Sequence, residues 1–102
     1  MGFLYIITNP AFPGWIKIGT TKDLTKRLQT YQTSSPHRDY EIVFSMEHPE
    51  YQIAEKRLRD TLSHFALRIR NEWYEVDVNI AIVRIQEQLD IYQYTNYTFI
   101  TQ

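Results

Sequence analysis

GFLYIIT at residues 2–8 and WIKIG at residues 15–19 are the two segments that decide the fold. Both are rich in aromatic and β-branched residues, which favour strands, and Asn9-Pro10 ends the first segment. The stretch from Phe12 to Gly14 combines proline and glycine and has the composition of a turn. The two segments are therefore predicted to pair as an antiparallel hairpin, with side chains alternating between the two faces of a sheet.

A first helix is predicted directly after this hairpin. Thr20 or Thr21 carries the side-chain oxygen that an N-cap needs, and Asp23 would sit in the first turn, where the helix dipole favours a carboxylate. Ser34-Ser35-Pro36 marks the end of this helix, because the residue before a proline avoids helical backbone. The stripe expected to be buried recurs at helical spacing and consists of Leu24, Leu28 and Tyr31.

The remaining elements follow from the same reading of periodicity. Residues 40–46 are predicted as a third strand, and Glu50 opens a second helix. The apolar side of that helix consists of Ala54, Leu58, Thr61, Leu62 and Phe65. Residues 72–76 form a short strand-like segment, and Asp77 is a suitable N-cap for a last helix with apolar residues between positions 78 and 89. The predicted order is ββαβαβα, and the segment from residue 92 onward is either an extra edge strand, a partner-binding tail or a frayed end.

Composition restricts the classes of function that need to be considered. The 102 residues suffice for one domain with one core, and the absence of cysteine excludes disulfides, thiolate metal sites and cysteine nucleophiles. The first residues lack the basic segment and the long apolar run of a signal peptide or membrane span, so a soluble, cytoplasmic protein without membrane contact is expected. Aromatic residues make up 15% of the chain, which is more than a core of this size needs. Some rings are therefore expected at a surface, where they would stack on bases or fill an interface, although simple packing in the core is the alternative.

Charge and histidine content give weaker guidance. The formal net charge is -1, so no global positive field attracts a polyanion. A local basic surface remains open, since four cations lie close together in the sequence: Lys17, Lys22, Lys26 and Arg27. The three histidines lack metal-ligand spacing and are expected at the surface: His37, His48 and His64.

Several of these segments, taken in order, resemble the motifs of the GIY-YIG nuclease superfamily. Phe3-Leu4-Tyr5, followed by Lys17-Ile18-Gly19 on the next strand, is similar to the paired motifs that name the superfamily. The run from Gly19 to Arg27 resembles the segment that leads to the family's essential arginine. Ala54 to Leu58 resembles the helix with the metal-ligand glutamate, and Asn71 to Val76 resembles the "EWF" strand of a phage-associated branch with lysine in the second motif.

The resemblance covers about residues 2–76 and implies a fold. That fold is a small α+β domain with a central three-stranded antiparallel sheet flanked by helices. Residues 1–102 would then form a single domain, with a motif-bearing core at 2–76 and a C-terminal helix and tail at 77–102. A homodimer joined through the aromatic tail is compatible with this organisation.

The resemblance also implies a metal-dependent endonuclease that acts on nucleic acid, with DNA favoured over RNA. The catalytic residues would be Tyr5, Lys17, Arg27 and Glu55, with Glu55 as the ligand of Mg²⁺ or Mn²⁺. Residues expected to contact nucleic acid are Thr20, Lys22, Lys26, Tyr31 and Arg59. Tyr5 and Lys17 are expected to face each other across the hairpin, where the phenol would orient or deprotonate the attacking water if a neighbouring cation stabilised phenolate.

Physical chemistry is compatible with these roles but leaves alternatives open. Arg27 lies beside the apolar stripe, and its planar guanidinium suits phosphate, although a surface ion pair with an acid is equally simple. Glu55 lies beside Ala54 at the margin of an apolar face and suits a hard cation, or it pairs with Arg59 at i,i+4. Arg59 also stands where some relatives have a histidine. The rival hypothesis is therefore a weakly active or inactive module of the same fold that binds nucleic acid or a protein partner.

Overall fold

The computed structural model describes residues 1–90 and 97–99. In this part of the chain, six strands form one antiparallel sheet in the order β4-β5-β2-β1-β3-β6, and three helices accompany it. The elements are β1 (Gly2–Thr8), β2 (Trp15–Thr21), α1 (Leu24–Thr33), β3 (Glu41–His48), α2 (Tyr51–Phe65), β4 (Ile69–Arg70), β5 (Trp73–Glu75), α3 (Val78–Asp90) and β6 (Tyr97–Phe99). The predicted α+β class is confirmed.

The sheet is wider than the three strands that were predicted. The predicted strands β1, β2 and β3 form its centre, and β5, β4 and β6 extend it on both sides. β5 lies within the strand-like segment that was predicted at residues 72–76, whereas the place of that segment in the sheet was not predicted. The two residues of β4 are too few to show an alternating pattern, so sequence periodicity could not reveal this strand. Tyr97–Phe99 pairs with β3 as an edge strand, one of the three alternatives for the tail. Residues 91–96 and 100–102 lie outside the described residues, and a homodimer through this tail stays a prediction.

One face of the sheet, here called the closed face, is covered by α2 and α3. Leu4 and Ile6 of β1 contribute to it, and their side chains are fully buried. The helices bury most of the residues that the periodicity selected: Ala54, Leu58, Leu62, Ala81, Ile82 and Ile85. Thr61 and Phe65, which were predicted to lie on the same side of α2, are only partly buried. Among the described residues no helix is long and apolar enough to cross a membrane.

The opposite face, here called the open face, has a smaller core. Tyr5, Ile7 and Ile42 are buried there beneath α1. The predicted stripe of α1 does face the sheet, but its members are only partly buried: Leu24, Leu28 and Tyr31. A single short helix therefore covers only part of this face.

The start of α1 differs from the predicted cap. β2 continues to Thr21, two residues beyond the predicted strand end, so Thr20 is still in extended structure. Asp23 is the N-cap, because its backbone is extended and its side chain accepts a hydrogen bond from the Lys26 amide at 3.0 Å. Thr21 instead accepts a hydrogen bond from the Asp23 amide at 3.1 Å and so stabilises the approach to the helix. At α3 the predicted cap is confirmed, since Asp77 accepts from the Ile80 amide.

A tight hairpin joins β4 to β5. Its two central residues, Asn71 and Glu72, have positive φ angles of 49° and 71°. Positive φ at both positions is the geometry of a type I′ turn, for which glycine is strongly preferred at the second position. Glu72 therefore has a left-handed backbone conformation, which is unfavourable for a residue that carries a side chain.

The partial pairing of β2 shapes the surface beside this turn. β5 pairs with Trp15, Ile16 and Lys17. No further β5 partner is described for the last residues of β2, from Ile18 to Thr21, so that edge is open next to the Glu72 turn. Because successive residues of a strand point to opposite faces, side chains from both faces can reach this edge.

The histidine expectation is correct at two positions and wrong at the third. His37 and His64 are exposed. His48 is only 4% exposed, and its Nδ1 accepts a hydrogen bond from the Glu50 amide at 2.9 Å. It ends β3 rather than lying in a loop, because β3 extends two residues beyond the predicted segment.

Candidate functional site

The Tyr5 ring lies across β2 on the open face. Register places Tyr5 opposite Gly19 and Ile7 opposite Lys17, so the expected direct pairing of Tyr5 with Lys17 is wrong, although both residues lie on the same face. A Cβ built on Gly19 would collide with the hydroxyl and Cζ of Tyr5. Glycine is thus required at this position, because only a residue without a side chain lets the phenol cross the strand.

The Tyr5 hydroxyl lies between two residues of α1. It is 3.3 Å from the Tyr31 hydroxyl, and the Arg27 Nη1 donates to it at 3.5 Å. Arg27 and Tyr31 are four residues apart and therefore lie on the same side of the helix. Arg27 is otherwise exposed, so its guanidinium borders solvent while it touches a phenol that is 1% exposed.

Burial controls the protonation state of Tyr5. Desolvation raises the pKa of Tyr5 far above its ordinary value of 10.0, and the Tyr31 hydroxyl raises it further. The Arg27 guanidinium lowers this pKa, but its effect is smaller. Tyr5 is therefore a neutral phenol, and the phenolate that was considered as a base is disfavoured in this structure. Its hydroxyl can orient a bound group by hydrogen bonding.

Lys17, like Tyr5, contacts the aromatic ring of Tyr31. Its Nζ lies 5.7 Å from the centroid of the Tyr31 ring, within cation–π range. The same ammonium is 3.5 Å from the Glu72 Oε2. The contacts thus unite Tyr5, Lys17, Arg27 and Tyr31 in one cluster on the open face.

Glu55 approaches from α2 on the other face of the sheet. The Thr20 hydroxyl donates to its Oε1 at 3.4 Å, and the Arg59 Nη2 donates to its Oε2 at 2.9 Å. The side chain is 20% exposed, so the carboxylate is shielded but accessible. The i,i+4 pair with Arg59 that the sequence left open is therefore present. Thr20 and Arg59, which were expected to contact nucleic acid, here hold Glu55.

Glu72 connects the two halves of the site. One carboxylate oxygen faces Lys17, and the other lies 3.6 Å from the Arg59 Nη1. Arg59 thus bridges Glu55 and Glu72, and Glu72 bridges Arg59 and Lys17. Glu55 is joined to the open-face cluster through this chain of ion pairs, which passes around the open edge of β2.

The donor set permits a hard divalent cation but does not form a cage for one. Groups of three or more His, Cys, Asp or Glu side chains that could hold a metal are absent among residues 1–90 and 97–99. Mg²⁺ commonly uses one or two carboxylates and completes its shell with water and phosphate oxygens, so Glu55 fits as a single protein ligand. Arg59 now occupies one of its carboxylate oxygens, and a cation would share or displace that contact.

The remaining predicted residues lie at the margin of the site. Lys22, which precedes the N-cap of α1, and Lys26, in the first turn of this helix, are exposed and remain candidates for phosphate contact. Glu72 was missed as a site residue because the Asn71-Glu72 turn lacks the glycine that usually identifies a type I′ hairpin. The strand pairing of Lys17 with Trp73 places the Glu72 turn next to the lysine, a relation that no local pattern contains.

Comparison with known proteins identifies a family. No curated protein and no solved structure matches the chain significantly. The model of the T5orf172 domain matches residues 2–89, a range that contains every residue of the candidate site. That range covers most of the chain and nearly all of the elements described above. The chain therefore belongs to the T5orf172 domain family.

Proposed function

We propose that the protein is a divalent-metal-dependent endonuclease of the GIY-YIG type that hydrolyses phosphodiester bonds in DNA. The observation that carries this proposal is the Tyr5 hydroxyl held over Gly19 between Tyr31 and Arg27. A phenol, a guanidinium and an ammonium on one accessible face suit a phosphate diester. The motif order, from hairpin to Arg27 to the Glu55 helix, supports the same assignment.

Arg27 and Lys17 would bind the phosphate. The exposed guanidinium can donate two parallel hydrogen bonds to non-bridging oxygens, and it keeps its charge at any working pH. Lys17 adds a second positive charge on the same face once its contact with Glu72 is released. Fixed cations aimed at the phosphate stabilise the charge that develops there during in-line attack.

Tyr5 would orient the phosphate or the attacking water by hydrogen bonding rather than deprotonate that water. Because its phenol is neutral, it can donate to a phosphate oxygen or accept from the attacking water. The contacts with Tyr31 and Arg27 fix the direction of the hydroxyl, and the absence of a side chain at Gly19 leaves room for the ring over β2. Positioning of this kind limits the cost of bringing the reacting groups together.

Glu55 would hold Mg²⁺ or Mn²⁺. When bound, such an ion supplies Lewis acidity at the phosphate and lowers the pKa of a bound water. Thr20 orients one oxygen of Glu55, while Arg59 balances the charge of the carboxylate. The partial burial of Glu55 keeps it out of bulk water, where a single carboxylate would hold a divalent ion weakly.

The test is cleavage of supercoiled plasmid by purified protein with Mg²⁺ or Mn²⁺. Glu55→Ala and Arg27→Ala should each slow cleavage by about 10²-fold or more, because each removes a group that stabilises developing charge. Matched controls are Glu87→Ala and Arg84→Ala, which break an exposed ion pair on α3. These controls should cleave at the wild-type rate.

Equal rates in wild type, Glu55→Ala and Arg27→Ala would refute the proposal, whether the rates are high or zero. High equal rates would indicate a contaminating nuclease. Zero rates would favour the second candidate, a module of the same fold that binds nucleic acid or a protein partner without turnover.

That second candidate is favoured by one observation: Arg59 and Lys17 are both already paired with carboxylates. A salt titration of DNA binding distinguishes the two kinds of partner. Affinity that falls steeply with ionic strength indicates phosphate contacts, whereas no affinity at low salt indicates a protein partner.

A further inference from the structure

A pocket of about 360 Å³ lies on the open face beyond Lys17. It is lined by Phe12, Trp15, Arg70, Asn71 and Trp73. These residues come from the β1–β2 loop, the start of β2 and the β4–β5 hairpin. The pocket therefore forms only when the short strand β4 and the turn residue Asn71 are in place.

A series of rings links this pocket to the candidate site. Phe12 meets Trp73 edge to face with centroids 5.4 Å apart, and Trp73 lies 6.4 Å from Tyr40. Tyr40 lies 5.1 Å from Tyr31, which contacts Tyr5. In the sheet, Trp73 is the direct partner of Lys17. Directly opposed residues on neighbouring strands have Cβ atoms within about 5.5 Å of each other. The pocket therefore lies directly beside the open-face cluster that contains Lys17.

The rings of the pocket are not needed to close the core. Phe12 is 44% exposed, and Trp15 and Trp73 are only partly buried. The main core lies on the closed face, and α1 covers the part of the open face around Ile7 and Ile42. An uncovered aromatic cleft that is also lined by an arginine, Arg70, is suited to a flat ring attached to a negatively charged backbone.

We propose that this pocket is a stacking site for one unpaired nucleobase of the DNA strand whose phosphate lies at Lys17 and Arg27. This inference rests on the proposed function and deepens it by assigning the substrate class. Phe12 and Trp73 supply the stacking surfaces, Arg70 faces the adjoining phosphate, and the Asn71 amide can hydrogen-bond to a base edge. A base inside a duplex cannot enter, so the preferred substrate is single-stranded or carries a flipped or overhanging nucleotide.

The chain offers a direct optical readout. Trp15 and Trp73 are the two tryptophans of the sequence, and both line the pocket. Tryptophan emission is measured while the protein is titrated with a thymidine oligonucleotide, with the same oligonucleotide lacking its central bases, and with a duplex of equal length. EDTA is present throughout, so that cleavage does not enter the measurement.

The base-containing single strand should quench emission and bind more tightly than the abasic strand and the duplex. Phe12→Ala should weaken binding of that strand by about 5- to 150-fold and leave binding of the abasic strand unchanged, since loss of one stacked base has this size. Phe12→Leu should retain less than half of the discrimination, because its apolar bulk lacks a flat face. Ile80→Ala, an exposed apolar change on α3, should behave as wild type.

Equal affinity for the base-containing and abasic strands would overturn the pocket assignment. So would tighter binding of the duplex. Phe12 lies in a loop and is the primary probe, since Trp73→Ala also removes a contact with Tyr40 and could unfold the hairpin.

The measurement separates this inference from the nuclease proposal. Glu55→Ala should keep the full preference for unpaired bases, because it removes the metal ligand and not the pocket. If that preference is present but no variant cleaves plasmid or oligonucleotide, the stacking site stands and the nuclease proposal fails. If wild type cleaves but base and abasic strands bind equally, the reverse holds.

Discussion

The two faces of the sheet use alternate residues of the same strands, yet they serve different purposes. On the closed face, Leu4 and Ile6 of β1 meet two helices and are sealed from water. On the open face, Tyr5 and Ile7 meet one helix whose own apolar residues are only partly buried. The burial that stabilises the domain is thus concentrated on one side, and the other side can leave cations and aromatic rings accessible.

The difference in burial between the two faces has a physical basis. Catalytic and binding groups must face solvent to meet a ligand, and a face with many such groups cannot also exclude water from a large core. A strand with period two lets one segment contribute to both tasks. Substitutions on the closed face should therefore change stability most, while substitutions on the open face should change the site with smaller losses of stability.

The largest effect is expected for Leu62→Ala on the closed face. Leu62 is 1% exposed, and removing its branched side chain leaves a cavity that costs about 2–5 kcal/mol in the free energy of unfolding. Urea denaturation followed by circular dichroism measures this loss. Leu67→Ala is the matched control, since Leu67 is 81% exposed and its truncation should cost little. Equal losses in the two variants would contradict the assignment of the closed face as the main core.

Gly19→Ala on the open face should lower the free energy of unfolding by less than Leu62→Ala does, but it should have a larger effect on function. The new methyl group would overlap the Tyr5 hydroxyl and ring, and relief of such overpacking costs about 1–3 kcal/mol. The Tyr5 hydroxyl would move from Arg27, and plasmid cleavage should fall accordingly.

The control for Gly19→Ala is the same change in a Tyr5→Leu background. Leucine is shorter than the phenol, so the methyl group should be tolerated and the cost in unfolding free energy should shrink. A cost that is the same in both backgrounds would show that Tyr5 does not lie over Gly19 in solution.

The closed face also carries a group whose stability contribution depends on pH. Burial lowers the pKa of His48 below its ordinary value of 6.5, and the nearby Glu50 carboxylate opposes this shift only in part. The unfolded chain then binds more protons than the folded protein just below pH 6.5. Stability contributed by the neutral imidazole is fully present above that pH and is lost as the pH falls below it, by at most about 1.4 kcal/mol per pH unit.

The measurement is the unfolding free energy between pH 7.5 and pH 5 for wild type and His48→Asn. Asparagine keeps an acceptor for the Glu50 amide but does not titrate, so the decrease should be shallower in the variant. An unchanged slope in His48→Asn would show that this imidazole does not cause the pH dependence.

The sequence predicted the elements that have strong local patterns. The β1–β2 hairpin, the three helices and the apolar stripes were visible because periodicity and turn residues are local signals. The cap of α1 was misassigned because β2 continues through Thr20 and Thr21, and strand ends depend on pairing partners rather than on propensity. The burial of His48 was missed for the same reason at the end of β3.

The candidate site was predictable only in part. Resemblance selected Tyr5, Lys17, Arg27 and Glu55, and three of these meet in one cluster on the open face. The position of Glu72 depends on a long-range register, the pairing of Lys17 with Trp73, together with a turn of unusual composition. Local sequence patterns contain neither of these facts.

The smallest expected effect concerns the Asn71-Glu72 turn. It measures how much stability is lost by having a charged residue in a left-handed conformation on the open face. Glu72→Gly should raise the unfolding free energy by up to about 1 kcal/mol, because glycine adopts the left-handed conformation without strain. It also removes the carboxylate next to Lys17 and Arg59, so affinity for single-stranded DNA should rise several-fold at low salt.

Glu72→Gln separates the two contributions, since it removes the charge but keeps a side chain at a positive φ. It should raise DNA affinity as Glu72→Gly does, without the gain in stability. If Glu72→Gly instead loses stability while Glu72→Gln loses the same amount, the ion pairs of Glu72 outweigh its backbone strain. The carboxylate would then act as a structural link between the two faces, and the rise in DNA affinity should be absent from both variants.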